Sequence, residues 1–314
     1  MNKFNHPYYS ASQAIIGSNT PNLKKNEESR KKLSNQRIGM IVYRVIVYVF
    51  LILLSLICIV PFWILIVNCT YQSSQIQQGL HWWFGNYFVE NFQGLLSNTN
   101  IPLKTGFINS LIVAFTTAIL TVYFSALTAY ATHVYQFKGK KFVTTFILAV
   151  MMIPTQVASM GLVVICNQLH LLNQIWLIIV PAIASPVTYF YMKQYLESVL
   201  PFEVIEAARV DGSSEIRIFH QIVLPILKPA LAVQFIFSYV TNWNNFFIPG
   251  MLLQDKTTWT LPIVIAGLKA SSPDTFDLGQ VYMLMTIAII PVVIVYLIFS
   301  KAIIKNLTSG AVKG

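Results

Sequence analysis

Charge is what this chain has least of: Asp, Glu, Lys and Arg make up 10% of its 314 residues, hydrophobic residues 55%, and the mean hydropathy is +0.62. A soluble globular domain carries about 25% charged residues. The shortage identifies an integral membrane protein. Cysteine is also scarce. Cys58, Cys69 and Cys166 are scattered through apolar stretches with no CxxC pair, which excludes a disulfide framework or zinc site and leaves buried, inert thiols. No G-x-x-x-x-G-K-[ST] occurs; the lone Gly139-Lys140-Lys141 has Val134 where that motif needs its first glycine. The chain therefore cannot bind and split ATP by the P-loop route on its own. GxSxG, HExxH and clustered His/Cys are missing too, so no catalytic residue, metal site or cofactor is assigned and no enzyme is indicated.

Long uncharged runs are what it has instead. They cover 45–89, 105–137, 142–192, 229–254 and 278–300. A bilayer core of about 30 Å needs roughly 20 apolar helical residues. The first run holds one span, 45–68, and the third holds two, 143–167 and 174–193, joined by a tight turn near His170–Asn173. The remaining runs hold one each, which predicts an all-α protein of six spans with both ends on one side. Pro154, Pro181, Pro186 and Pro291 fall within spans, where proline bends a helix or frees a carbonyl. Residues 1–40 read as a mobile tail with a short helix near 24–35, and 41–69 as the first transmembrane segment. This first apolar run is too long for a signal-peptide core and is expected to stay in the mature chain. Residues 70–104 form an extracytoplasmic linker whose Trp82, Trp83, Phe84, Tyr87 and Phe92 suit a membrane interface or an external partner. Residues 105–303 are the core, and 304–314 a cytoplasmic tail.

Basic residues orient the spans. Of 21 Lys and Arg, 18 fall in the N-terminal segment, the 133–141 loop, the stretch between spans four and five, and the C-terminal tail. Only Lys104, Lys256 and Lys269 fall on the other side. The net charge of +10 is thus a topology signal, with both termini cytoplasmic, and not a sign of nucleic-acid binding. No acidic or basic side chain is expected in the middle of a span. Ion-driven carriers usually bury one there as a relay, so the absence weakens a stand-alone carrier without excluding sodium coupling through neutral oxygens.

One polar island interrupts this pattern, Pro201–Pro229. Pro201 suits the opening of a short helix, Glu203 and Glu206 favour its early turns, and Gly212 is a natural stop. Ser213 is expected to cap a second helix, with Glu215 in its first turn and Leu224-Pro225 closing it. Ile216, Phe219, Ile222 and Val223 recur at helical spacing and predict an apolar face. Two short amphipathic helices between spans suggest a docking surface. In the fifth span, Gln234, Ser238, Thr241, Asn242 and Asn245 share one face beside Tyr239 and Trp243. Amides next to aromatic rings suit a polyhydroxylated ligand, and equally suit hydrogen bonding between helices. A second stripe, Thr117, Thr121, Ser125 and Thr128, is small enough that close helix packing is the favoured account.

The string Glu206-Ala207-Ala208, Asp211-Gly212 and Ile222-Val223-Leu224-Pro225 closely resembles the EAA loop of ABC-importer permeases. Phe107-Ile108-Asn109-Ser110-Leu111, Ala129-Tyr130-Ala131, Phe137-Lys138-Gly139-Lys140, Met151-Met152-Ile153-Pro154, Trp243-Asn244-Asn245-Phe246 and Thr260-Leu261-Pro262 fall in the order expected for the sugar-type permeases of that family. The ending Gly310-Ala311-Val312-Lys313-Gly314 resembles the tail of the subunit akin to the second membrane protein of the maltose importer. His133 departs from the pattern, since relatives commonly carry arginine there. The resemblance covers roughly 40–314 and implies a type-1 permease fold with cytoplasmic coupling helices. It implies that Glu206, Ala207, Ala208, Asp211, Gly212, Leu224 and Pro225 couple to an ATPase, and that the tail reaches the same interface. The implied partners are a second, homologous permease, two ATPase subunits holding ATP and magnesium, and an extracytoplasmic sugar-binding protein. The implied cargo is an oligosaccharide or related sugar; permeases for amino acids, peptides or polyamines are the alternative within the family.

Overall fold

The computed structural model describes residues 20–99, 101–269 and 277–311, with side chains for 38–99, 101–268 and 277–300. Every regular element among them is a helix. The chain divides into two units, Met1–Ile64 and Leu65–Gly314. Helix α1, Thr20–Asn68, takes in the stretch near 24–35 where a short helix is expected. No glycine or proline lies between residues 22 and 38 to stop it. From Val45 to Phe62 it is uncharged and almost entirely exposed, as a membrane-crossing helix is. Cys58 is exposed on it, unlike the buried Cys69 and Cys166.

In the second unit, α2 (Ser73–Gln78) and α3 (Phe88–Ser97) precede α4, Leu103–Val134. The chain continues through α5 (Lys140–Val150), α6 (Thr155–Gln168), α7 (Trp176–Ile183), α8 (Pro186–Val199) and α9 (Phe202–Val210). After α10 (Glu215–Ile218) comes a π-helical stretch, Phe219–Val223, then α11 (Leu224–Trp243), α12 (Phe247–Leu252), α13 (Leu261–Lys269) and α14 (Leu278–Ala311). Helix α4 is central, packing on α7, α8, α11 and α13. Its buried face is rich in Gly106, Ser110, Ala114, Thr117, Ala118, Thr121, Ser125, Ala126 and Ala129, and such small residues let neighbouring backbones approach closely. Thr117, Thr121 and Ser125 are therefore packing residues, while Thr128 is exposed and bonds its own helix at Phe124 O.

Among the described residues, five helical stretches are long and apolar enough to cross a membrane: Ile38–Asn68, Leu103–Val134, Trp176–Val199, Glu215–Trp243 and Leu278–Ser300. The pair α5 and α6 makes a sixth if counted as one span, but it is bent by 95°. The single helix expected over 143–167 is thus two. Pro154 has no N–H to donate and disfavours helical backbone at Ile153, so Met151, Met152 and Ile153 close tighter bonds to the carbonyls three residues back. Between α7 and α8, Pro186 leaves the carbonyl of Ala182 without its helical donor, and Thr121 Oγ1 donates to it at 3.0 Å. The turn at 170–173 forms as expected, with His170 (φ 54°) and Asn173 (φ 64°) left-handed.

The fifth span differs from its expected 229–254. It begins at Glu215, runs through the π-helical stretch and stops at Trp243. Leu224-Pro225 closes nothing: Pro225 lies in the first turn of α11, where the helix continues past it. At the far end Asn245 Oδ1 accepts from Ile248 N and starts α12 instead.

Candidate functional site

The island folds from the backbone up. Pro201 precedes α9 and Glu203 sits in its first turn, favourably placed against the helix dipole. At the other end Gly212 N donates to Arg209 O and Ser213 N to Ala208 O, the paired bonds of a Schellman turn. That turn requires a left-handed residue, and Gly212 supplies it at φ 77°. Because Ser213 is taken up in the turn, Ser214, one residue later than expected, caps α10, its hydroxyl accepting from Arg217 N at 3.4 Å.

The apolar face expected to meet a partner mostly faces inward. Ile218, Phe219 and Val223 are buried with Ile205 and Ala208 in a cluster that includes Tyr130, Met192, Leu196 and Leu227. Ile222 is partly buried, and only Ile216 stands out, 75% exposed. The outer surface consists of Phe202, Glu203, Val204, Glu206, Ala207, Val210, Asp211, Gly212, Ile216 and Arg217. Of the coupling residues inferred from the family pattern, Glu206, Ala207, Asp211, Gly212 and Pro225 are exposed, Leu224 is half-buried, and Ala208 belongs to the core.

Beneath this surface lies a polar node that sequence inspection misses. Glu215 Oε1 accepts from Arg209 Nε at 2.7 Å, while its Oε2 accepts from Tyr130 OH at 3.0 Å and Tyr135 OH at 2.5 Å. The Arg209 guanidinium lies 5.5 Å from the Tyr135 ring centre. Burial, and then the bond to the Glu215 carboxylate, push the Tyr135 phenol above its ordinary range. One turn further on, Tyr123 OH and His220 Nε2 are 3.2 Å apart, with His220 Nδ1 at 2.8 Å from Ile216 O. The tyrosines lie 80 and 85 residues from Glu215, so no local spacing signals the contact.

The opposite end of α4 is pinned as well. Asn109 Nδ2 donates to the carbonyls of Thr257 and Trp259 at 3.1 and 2.9 Å, and Ser110 Oγ accepts from Leu261 N at 2.7 Å. Asn173 Oδ1 accepts from Gln254 N and Asp255 N. Asn109-Ser110 and Thr260-Leu261-Pro262, quoted above only as family resemblances, thus meet each other.

Along the fifth-span stripe exposure varies from residue to residue. Gln234 is buried, Thr241 exposed, and Ser238, Asn242 and Asn245 lie between. Asn242 Nδ2 donates back to Ser238 O at 2.8 Å. Tyr239 and Trp243 are buried and stack on each other, with Trp243 Nε1 donating to Ala288 O, so their ring faces are occupied. A cavity of about 360 Å³ lies elsewhere, lined by Ser125, Thr128, Phe146, Ala184, Ser185 and Tyr189 among others. At the C-terminus, Gly310 and Ala311 end α14, and Val312, Lys313 and Gly314 lie outside the described residues. Among the described residues no His, Cys, Asp and Glu cluster could hold a metal ion.

Comparison with known proteins adds the family. Residues 122–309 match the model for the family described as binding-protein-dependent transport system inner membrane component. The chain is 34% identical over 279 residues to the arabinooligosaccharides transport system permease protein AraQ of Bacillus subtilis (strain 168), covering 87% of this chain and 97% of that one. It is 30% identical to the lactose transport system permease protein LacG of Rhizobium radiobacter, covering 86% and 96%. Its fold resembles a chain of a bacterial ABC transporter involved in the import of the acidic polysaccharide alginate, with a TM-score of 0.72 at 20% identity over 83% of this chain and 96% of the other.

Proposed function

The chain belongs to the binding-protein-dependent transport system inner membrane components, as the permease subunit of an ABC importer, and from that premise we propose that it carries neutral oligosaccharides using ATP hydrolysed by a separate subunit docked on 201–225. The observation that carries this is the build of that element: a surface of Glu203, Glu206, Ala207, Val210 and Ile216 over helices fixed by Ile205, Ala208, Ile218 and Phe219. A rigid, mixed apolar and acidic knob suits a groove on a partner and passes on force without deforming. Docking of the ATPase there makes this face cytoplasmic, in keeping with the 18 basic residues assigned to that side. Gly310–Gly314 are proposed to reach the same interface. ATP and magnesium would be held by the ATPase pair, and a second permease and an extracytoplasmic binding protein would complete the importer. Relatives named for arabinooligosaccharide and lactose transport support a sugar cargo, as does the absence of charge from the apolar runs. The fifth-span residues Gln234, Ser238, Thr241, Asn242 and Asn245 remain the proposed pathway contacts, through their hydroxyls and amides alone, since the neighbouring rings are packed away.

The decisive variant is Glu206→Lys. The complex is isolated through a tag on this chain, and uptake of labelled arabinotriose, lactose and maltotriose is measured in proteoliposomes loaded with ATP. Expected is loss of the ATPase from the complex and loss of uptake, with normal insertion in the membrane. Uptake at the unaltered rate by a normally inserted variant would overturn the dock. Uptake driven by an ion gradient without ATP would overturn the ATP-driven reading altogether.

A further inference from the structure

We infer that Glu215 is a positioning residue that locks the docking helices to the end of α4, so that the two move as one body. The inference rests on 201–225 being the ATPase dock. One carboxylate gathers groups from separate stretches of backbone: Arg209 from the last turn of α9, Tyr130 from α4, and Tyr135 from the residue that ends α4. Glu215 itself opens the helix that runs on into α11. Close-packed apolar contacts already join the same elements, and several directional hydrogen bonds on one group add a fixed distance and angle to that packing. The Tyr123–His220 contact repeats the tether one turn further along.

Exposure separates geometry from stability. The Arg209 and Glu215 side chains are 34% and 43% exposed, a setting in which an ion pair contributes little to folding. Four side chains nevertheless converge there, directly under a surface that none of the four tethering bonds uses. The ion pair itself thus adds little to the fold, while the four side chains together are well suited to keeping a lever aligned with the span it moves.

The test uses the complex purified through this chain, with Cys58 replaced by serine and spin labels at Pro201→Cys, where α9 begins, and Ile119→Cys, both exposed and neither among the residues of the proposed docking surface. Electron–electron resonance measures the distance between them without nucleotide and after trapping with ATP and vanadate. With Glu215 present, the distance distribution is expected to be the same in both states. In Glu215→Gln, trapping is expected to shift its mean by about 3 Å or more, with the ATPase still bound at normal stoichiometry. An unchanged distribution in Glu215→Gln overturns the inference, as does a shift in the unaltered chain. If Glu215→Gln fails to assemble, the Tyr130→Phe, Tyr135→Phe double variant keeps the Arg209–Glu215 pair and cuts only the tether to α4. The same shift is then expected, and its absence overturns the inference. ATPase recovered at normal stoichiometry with a Glu206→Lys chain refutes the dock itself, an outcome distinct from failure of the lock.

Discussion

At one end of α4, Asn109 and Ser110 staple the irregular backbone of 257–261 with a neutral amide and a hydroxyl; at the other, about 32 Å along the axis, Tyr130 and Tyr135 reach the carboxylate of Glu215 beside Arg209. Asn109 and Ser110 are buried, whereas Arg209 and Glu215 are partly exposed. The same helix is therefore held in two ways. The neutral staple is costly to remove, because the carbonyls of Thr257 and Trp259 lose a donor and the Leu261 N–H, in a buried bond, loses its acceptor. The half-exposed Arg209–Glu215 pair adds little to folding, and by the inference above the node it belongs to sets direction. Fold stability is expected to follow the first end and transport the second.

The sharpest way to break that division is at Gly212. Gly212→Pro cannot adopt φ 77° and deletes the donor to Arg209 O, so the proposed dock should lose its shape and uptake per inserted molecule should fall to background. Retained uptake would sink the assigned importance of this turn. Next comes Asn109→Leu, which strips a donor from two carbonyls and should lower stability by about 2–4 kcal/mol. Thermal unfolding in detergent, followed by tryptophan fluorescence, checks this. Ser110→Ala, removing one acceptor from Leu261 N, should cost about 1 kcal/mol in the same assay. Raising salt to about 0.5 M, where screening shortens to roughly 4 Å, should slow ATP-dependent uptake more than it lowers the unfolding temperature. The smallest effect concerns pH. Tyr135 donates as the neutral phenol and its folded pKa is raised, so its contribution is complete below the ordinary tyrosine range of about 10 and fades only as pH rises through the higher folded value. Between pH 7 and 9 an ultraviolet titration should show no tyrosinate from this residue.

What could be read in advance follows from how far each effect reaches along the chain. Apolar length marks most of the spans, Pro154 and Pro186 mark bends, and Gly212 marks a helix end, because each depends on a residue and its immediate neighbours. Ser214 in place of Ser213 is a one-residue error with a local cause, the turn that engages Ser213 first. The inward turn of Phe219 and Val223 was not legible, since an apolar helix face has the same spacing whether its own core or another chain covers it. Nor were the tyrosine contacts of the node and the staple, which join residues 80 to 151 positions apart. Tyr130, Asn109 and Ser110 carry family-like surroundings, but only the fold gives those surroundings a physical role.

The π-helical stretch Phe219–Val223 gives the proposed dock its heading. Leu224 N bonds back to Phe219 O, five residues earlier, so one surplus residue is accommodated between the acidic knob and α11. Each residue of an α-helix accounts for about 100° of rotation. Removing that surplus would leave both flanking helices intact but swing Glu206 and Val210 roughly a quarter-turn around the axis of the span. The compass bearing of the knob is therefore encoded by a count of amino acids, and a single deletion would misdirect it without touching any side chain on its surface.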